Sequence, residues 1–258
     1  LGYAEGRWLR PVWPGDTLRS ESTVIGLKEN SNGKSGVVYV RTRGLNQSGE
    51  PVLEYVRWVM VRKRDLDAPA PGPVVPELKK TVAADDLIVP EGLDFSNYDF
   101  ALAGERHRWA DYVVGEKIDH VDGVTVEEAE HMLATRLWQN TAKVHFDRTQ
   151  REDGKRLIYG GHVISLARAL SFNGLANAQV VVGLNAGAHA NPCFSGDTVR
   201  AWSEVLDKAP TAAPGVGAVR LRLVAVKDGA APFALRADDG KYLAEVLLDL
   251  DYWALMPL

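Results

Sequence analysis

The chain has 258 residues, of which 46% are hydrophobic and 25% are charged, and its formal net charge is −4, so it is long enough to bury the core of one large or two modest domains. Its basic residues are scattered and no apolar run approaches the length of a membrane span, which argues against a nucleic-acid partner or a membrane protein and favours a cytoplasmic location. Cys193 is the single cysteine, which excludes internal disulfides and a cysteine-based metal cluster and predicts a small buried side chain.

An internal repeat is the first feature met along the chain. Residues 11–19 (PVWPGDTLR) recur as residues 192–200 (PCFSGDTVR), and the same offset pairs Gly2 with Gly183. Self-similarity at a constant offset is typical of a tandem duplication. The chain is therefore predicted to contain two copies of one structural unit.

Each copy is predicted to consist mainly of antiparallel strands. Stretches rich in β-branched and aromatic residues follow the Gly-Asp-Thr turn of each copy and are bounded by turn signals. They cover residues 17–27, 36–43 and 52–62, and then 197–206, 217–226 and 241–253. The first copy accordingly occupies residues 1–65 and the second residues 101–258, while the proline-rich residues 66–100 are predicted to be an extended linker.

Two helices are predicted in the second copy. Residues 125–128 (TVEE) have the reciprocal capping-box pattern, and an apolar stripe with helical spacing continues from there to Leu137. Residues 162–176 are small and apolar nearly all round, which is the composition of a helix enclosed on most sides. A buried helix followed by antiparallel strands predicts an α+β fold in which the sheet wraps the helix.

Nothing in the first copy matches residues 101–181, and we therefore expect this copy to be N-terminally incomplete. The repeat offset predicts about eighty further residues before Leu1, or a segment of another subunit in that position. Without such a cover, the concave apolar face of the first copy's strands would be open to water. An evolved half-domain is the alternative interpretation.

A motif in the second copy points to a known family. Residues 140–147 (NTAKVHFD) and 159–163 (YGGHV) resemble the motif of the MaoC-like hydratases and dehydratases, and the turn at residues 11–18 is similar to theirs. Within that family, residues 137–145 and 156–170 resemble the subgroup that hydrates mesaconyl-CoA and dehydrates methylmalyl-CoA. The resemblance implies a double hotdog, in which the strands of both copies join edge to edge in one long antiparallel sheet around a central buried helix.

The resemblance also implies a function and a set of site residues. The expected reaction is reversible hydration of an enoyl-CoA thioester, with mesaconyl-CoA and β-methylmalyl-CoA as the expected pair and no cofactor. His145 would act as base and acid, because imidazole exchanges protons near neutral pH. Asn140, where the family usually has Asp, would orient the attacking water. The N–H of Gly161, at a helix start, would stabilise the thioester oxyanion.

Further residues near the motif are expected to contact the substrate. Loop cations would meet the phosphates of coenzyme A or a distal carboxylate of the acyl group. His162 could contact the ligand, cap the helix or simply pack. The full set of expected substrate contacts is Tyr159, Gly160, His162, Lys143, Arg148 and Arg156.

Several alternatives stay open at this point. Asp147 could replace the missing acid, although capping a turn is the commoner role for such a residue. His107, His120, His131 and His189 have no metal-ligand spacing, so no metal is expected. A thioesterase of the same fold is one competing function, and a non-catalytic acyl-CoA-binding protein, suggested by Asn140, is another. The sequence leaves a homo-oligomer open.

Overall fold

A computed structural model of the chain describes residues 2–258. Within these residues, nine strands form one antiparallel sheet in the order β2-β3-β4-β1-β6-β9-β8-β7-β5. The strands are β1 (Gly2–Trp8), β2 (Arg19–Glu29), β3 (Ser35–Leu45), β4 (Pro51–Arg62), β5 (Lys117–Thr125), β6 (Val180–His189), β7 (Thr198–Pro210), β8 (Val216–Lys227) and β9 (Val246–Pro257). The predicted antiparallel strands are confirmed. The last predicted strand was wrong at its start, because residues 241–245 belong to a separate loop in which Tyr242 bridges to Arg236.

The two copies meet at β1 and β6, which occupy equivalent places in the repeat. These strands pair antiparallel with each other, with Tyr3 opposite Gly187 and Gly6 opposite Leu184. The remaining strands follow in the same order on either side, so the expected edge-to-edge union of the copies is confirmed. The sequence did not reveal β1 and β6, because the alanine and glycine within them disfavour strands.

Residues 2–258 contain four helices, and the central one packs against this sheet. They are α1 (Phe100–Ala103), α2 (Glu128–Leu137), α3 (Gly160–Leu170) and the short α4 (Phe172–Leu175), with 3-10 turns at Ala84–Asp86, Trp109–Asp111, Lys143–His145 and Arg148–Gln150. Helix α3 packs against β5, β7, β8 and β9, with Val163, Ala167 and Leu170 in the main core. This is the predicted arrangement of a sheet around a central helix. No helix within residues 2–258 is long and apolar enough to cross a membrane.

Both predicted helices differ from the structure in detail. Thr125 is the last residue of β5 and bonds the Thr198 hydroxyl at 2.9 Å, so the predicted capping box is wrong and α2 begins without a side-chain cap. Helix α3 begins at Gly160 and ends at Leu170, because the backbone beyond it turns out of the helix and Gly174 adopts a φ of 91°. The prediction of a nearly fully buried helix is also wrong, since Ser165 and Ala169 are exposed.

The segment between the two copies packs on the other side of the sheet. Val82 is buried there, its amide donates to Asn185 at 2.7 Å, and its carbonyl accepts from the Trp253 indole at 3.1 Å. Cys193 is buried, as predicted, and burial raises the pKa of its thiol to about 12. A thiol of that kind is a packing group and not a nucleophile.

Candidate active site

His145 is the central residue of the candidate site. It ends the 3-10 turn Lys143–His145 and is half-buried. Its Nδ1 lies 2.8 Å from the carbonyl oxygen of Leu157. Because a carbonyl can only accept, Nδ1 carries the proton and Nε2 of the neutral ring keeps its lone pair. The backbone thus holds His145 in the tautomer that a general base requires.

Two further histidines form a cluster with His145, in which His131 contacts both of the others. The rings of His131 on α2 and His145 have centroids 6.4 Å apart, and those of His131 and His162 are 6.3 Å apart. The amide of Tyr159 donates to Nε2 of His131 at 3.0 Å, so the proton of neutral His131 sits on Nδ1. That Nδ1 is buried and has no acceptor within residues 2–258. His131 therefore holds the backbone of Tyr159, directly before α3, in place. Its Nδ1–H is a donor inside the cluster without a partner within residues 2–258.

The sequence did not predict His131 as part of the site. Burial, reinforced by the charges of His145 and His162, lowers its pKa from 6.5 to about 4. The ring is therefore neutral at pH 7. A signal was present in the sequence, because His131 and Thr135 lie one turn apart on one face of α2 and are both buried polar residues.

The lowered pKa of His131 predicts that acid destabilises the fold. As the pH falls below 6.5, this histidine becomes protonated in the unfolded chain, whereas the folded ring stays neutral until about pH 4. Protonation therefore favours the unfolded chain, and the free energy of unfolding decreases. Between pH 7 and pH 5 this residue accounts for at most about 2 kcal/mol. Urea unfolding at both pH values measures the loss, and His131→Gln should reduce it. His107→Gln, at an exposed position, should leave the loss of stability between pH 7 and pH 5 unchanged. An equal loss of stability in wild type and His131→Gln would contradict this assignment.

The first turn of α3 presents two free backbone donors. Neither the Gly160 nor the Gly161 amide donates to an acceptor within residues 2–258. A Cβ atom added to Gly160 would lie 2.6 Å from the His189 ring, and one added to Gly161 would lie 2.5 Å from the Tyr159 ring. The two glycines therefore let aromatic rings close over the helix start. A free N–H pair at a helix N-terminus favours developing negative charge.

Tyr159 connects the free amides with the base. Its hydroxyl end lies against Gly161, and its ring meets the His145 ring edge to face with centroids 5.8 Å apart. Half-burial raises the pKa of the Tyr159 phenol, so its hydroxyl keeps its proton and remains a donor. Tyr159 was predicted to contact the substrate, and the structure places it between His145 and Gly161.

Tyr3 and His189 complete this side of the site, and the sequence had predicted neither. They stand on β1 and β6, where the two copies meet, with the Tyr3 hydroxyl 3.4 Å from Nε2 of His189. Burial lowers the pKa of His189 to about 4. Since Gly187 lies opposite Tyr3 in the neighbouring strand, its missing side chain makes room for the Tyr3 ring. The site therefore lies at the junction of the copies.

Asn140 and Asp147 both serve the backbone around His145. The side-chain oxygen of Asn140 accepts from the Ala142 amide at 2.9 Å, which leaves its NH₂ group and the second lone pair of that oxygen free to bond a water. Asn140 also lines a cleft of about 390 Å³ with Thr135 and Phe146. Asp147 accepts from the Thr149 amide and hydroxyl, hydrogen bonds that keep the pKa of its carboxyl below the usual range. The expectation that Asp147 caps a turn is confirmed.

The remaining candidate residues differ in their surroundings. His162 is buried between α3 and α2, with Nε2 3.6 Å from a carboxylate oxygen of Glu130. Arg156 is paired with Glu128, which reduces its availability to a ligand. Lys143 and Arg148 are exposed, and neither has an ion-pair partner within residues 2–258. Over the same residues, no group of three or more His, Cys, Asp or Glu is arranged to hold a metal ion.

Known proteins resemble this chain over its whole length. A family model described as mesaconyl-CoA hydratase matches residues 1–237. The chain is 80% identical over 257 residues to a mesaconyl-CoA hydratase of Cereibacter sphaeroides, covering 100% of this chain and 75% of that protein. It is 58% identical over 264 residues to a beta-methylmalyl-CoA dehydratase of Chloroflexus aurantiacus, covering 100% and 74%.

Solved structures extend the comparison to the fold. A MaoC domain dehydratase from Chloroflexus aurantiacus superposes with a TM-score of 0.95 at 56% identity, covering 100% of this chain and 75% of that one. A Mycobacterium tuberculosis protein with a double hotdog fold superposes with a TM-score of 0.72 at 26% identity, covering 99% and 74%. The chain thus has the double-hotdog fold that the family resemblance implied.

Proposed function

The chain belongs to the mesaconyl-CoA hydratase family, and from this we propose that its His145 site adds water reversibly to mesaconyl-CoA to give β-methylmalyl-CoA. The protein is an enzyme, a hydro-lyase acting on a coenzyme A thioester. The observation that carries the site assignment is the bond from His145 Nδ1 to the Leu157 carbonyl, which leaves Nε2 as a base. The Tyr159 ring lies between this histidine and the free amide of Gly161. The cytoplasmic location expected from composition remains part of this proposal.

The chemistry divides between the base and the helix start. Nε2 of His145 takes a proton from water while the hydroxyl adds to the β-carbon, and the ring then returns a proton to the α-carbon. Charge that develops on the thioester oxygen is stabilised by the Gly161 amide, with the Gly160 amide and the positive end of α3 beside it. Asn140 holds the turn that presents His145, and its NH₂ group can donate to the attacking water.

The test of this function is a reaction with two readouts. Mesaconyl-CoA is incubated with the protein, and both the loss of the conjugated thioester absorbance and the release of free thiol are followed. Hydration removes the absorbance without thiol release and adds one water to the product's mass. Thiol release would indicate a thioesterase, and tight acyl-CoA binding without either change would indicate a non-catalytic binding protein.

Lys143 and Arg148 are proposed to bind the phosphates of coenzyme A. Both are exposed beside His145 and free of ion pairs within residues 2–258, whereas Arg156 is engaged by Glu128. Replacing Lys143 and Arg148 together by Ala is expected to raise KM by about tenfold with little change in kcat, because each lost exposed contact costs about 0.5–1 kcal/mol.

Steady-state kinetics at two salt concentrations checks the phosphate assignment, since added salt should weaken wild-type binding more than that of the double variant. Lys34→Ala, on an exposed turn of the first copy, is the control. A double variant with the KM of wild type would remove both residues from the phosphate site.

A further inference from the structure

Arg57 is a charged residue whose partner the structure does not supply. It lies on β4 directly opposite Tyr3 of β1 and Val40 of β3, so the three side chains share one face of the sheet. Arg57 is half-buried, and its Nε atom is shielded from solvent with no acceptor within residues 2–258. No carboxylate of those residues lies within ion-pair distance of its guanidinium. Shielding a guanidinium nitrogen from water without supplying an acceptor costs free energy, because its hydrogen bonds to water are not replaced.

Three other arginines of the same sheet are paired with carboxylates. Arg41 reaches Glu5 at 2.8 Å, Arg220 reaches Asp251 at 2.6 Å, and Arg222 lies 3.1 Å from Asp249. Arg41 stands opposite Val56, whose side chain points to the face opposite that of Arg57. Carboxylates of the sheet therefore neutralise these three arginines, whereas Arg57 has no carboxylate partner within residues 2–258. An unsatisfied guanidinium of this kind is suited to a carboxylate from a ligand.

Contacts lead from Arg57 to the candidate active site. Tyr3, opposite Arg57, lies 6.4 Å from the Tyr55 ring between centroids, and its hydroxyl reaches His189. The His189 ring in turn lies against Gly160 at the start of α3. The charge of Arg57 also acts on Tyr3, where it opposes a burial that raises the pKa of this phenol to about 12. The Tyr3 hydroxyl therefore keeps its proton and can donate, so a phenol donor and a guanidinium share this face of the sheet.

The chemistry of the substrate favours a cation close to the base. In mesaconyl-CoA the distal carboxylate is bonded to the β-carbon, which is the carbon that receives the hydroxyl group. The carboxylate must therefore lie close to the base that activates water. We propose that Arg57, assisted by the hydroxyls of Tyr3 and Tyr55, binds this distal carboxylate and makes the enzyme selective for dicarboxylic acyl thioesters. This inference rests on the proposed function. It also gives each copy a part in one site, since Arg57 belongs to the first copy and His145 to the second.

Two matched substrates test the proposal. Tiglyl-CoA is mesaconyl-CoA with a methyl group in place of the distal carboxylate. Arg57→Met is expected to lower kcat/KM for mesaconyl-CoA by about a hundredfold or more, because it removes the partner of a shielded charge, and to leave kcat/KM for tiglyl-CoA unchanged or raised. Arg62→Met, at the exposed end of the same strand, should change neither. An equal loss on both substrates, in a variant with the melting temperature of wild type, would overturn the assignment.

A binding experiment separates this inference from the proposed reaction. Calorimetry with succinyl-CoA and butyryl-CoA, which differ by one carboxylate, needs no turnover. Wild type should bind succinyl-CoA more tightly, and Arg57→Met should lose that preference. If Arg57→Met does not fold, Arg57→Lys keeps the charge and the stem and should lose about tenfold of the preference with the bidentate contact. A protein that prefers succinyl-CoA but hydrates nothing would refute the reaction alone. Equal affinity of wild type for both thioesters would refute the role of Arg57.

Discussion

Replacing His145 by Ala should lower kcat for mesaconyl-CoA hydration by about 10²–10⁴-fold, the range for loss of a general acid–base. The bond from its Nδ1 to the Leu157 carbonyl leaves Nε2 of His145 free to accept a proton. Its neighbour His131 has Nε2 occupied by the Tyr159 amide and a pKa lowered to about 4. Neither property suits a group that must both take and return a proton at neutral pH.

Single-turnover measurement of hydration checks this expectation, because it isolates the chemical step from product release. His107→Ala is the matched control, since His107 is exposed and pairs with Glu105 away from the cluster. Circular dichroism and the melting temperature establish that each variant is folded. Turnover by His145→Ala at a rate near that of wild type would show that another group moves the proton.

The second large effect is expected from Gly161→Pro, which should lower kcat by about 10²–10³-fold, the usual effect of losing one oxyanion donor. Proline removes the amide hydrogen, and it is tolerated in the first turn of a helix where that hydrogen has no acceptor in the protein. The Gly161 amide is such a hydrogen within residues 2–258.

Gly161→Ala is the control that separates the lost donor from crowding. Both substitutions place a Cβ atom against the Tyr159 ring, which lies at the flexible end of its side chain and can move. Alanine keeps the N–H, so its variant should retain most of the activity that proline abolishes. Comparing kcat of the two variants at saturating mesaconyl-CoA decides the matter, and equally inactive alanine and proline variants would assign the loss to displacement of Tyr159.

The fold was predictable in outline because its signals are local or repeated. The duplicated turn indicated two copies of one unit. The β-branched and aromatic content of the chain predicted most of the strands in each copy. The residues at which these helices and strands begin and end were less predictable. Thr125 reads as a helix cap in sequence, but pairing of β5 with β7 takes it into the sheet. The central helix ends at Leu170, and the backbone leaves the helical conformation at Asn173 and Gly174, which an apolar composition does not reveal.

By itself, the sequence determined the repeat and the family, and it predicted the part of the site that is contiguous along the chain. His145, Tyr159, Gly160 and Gly161 lie in two short segments that resemble the family's motif, and this resemblance is what identified them as candidates. Only the tertiary structure decided which residues complete the site. Sheet register brings Tyr3 and Arg57 opposite each other and places His189 beside Gly160, although these residues come from three strands distributed along the chain. No local spacing encodes such a meeting, because it depends on how β1 joins the two copies.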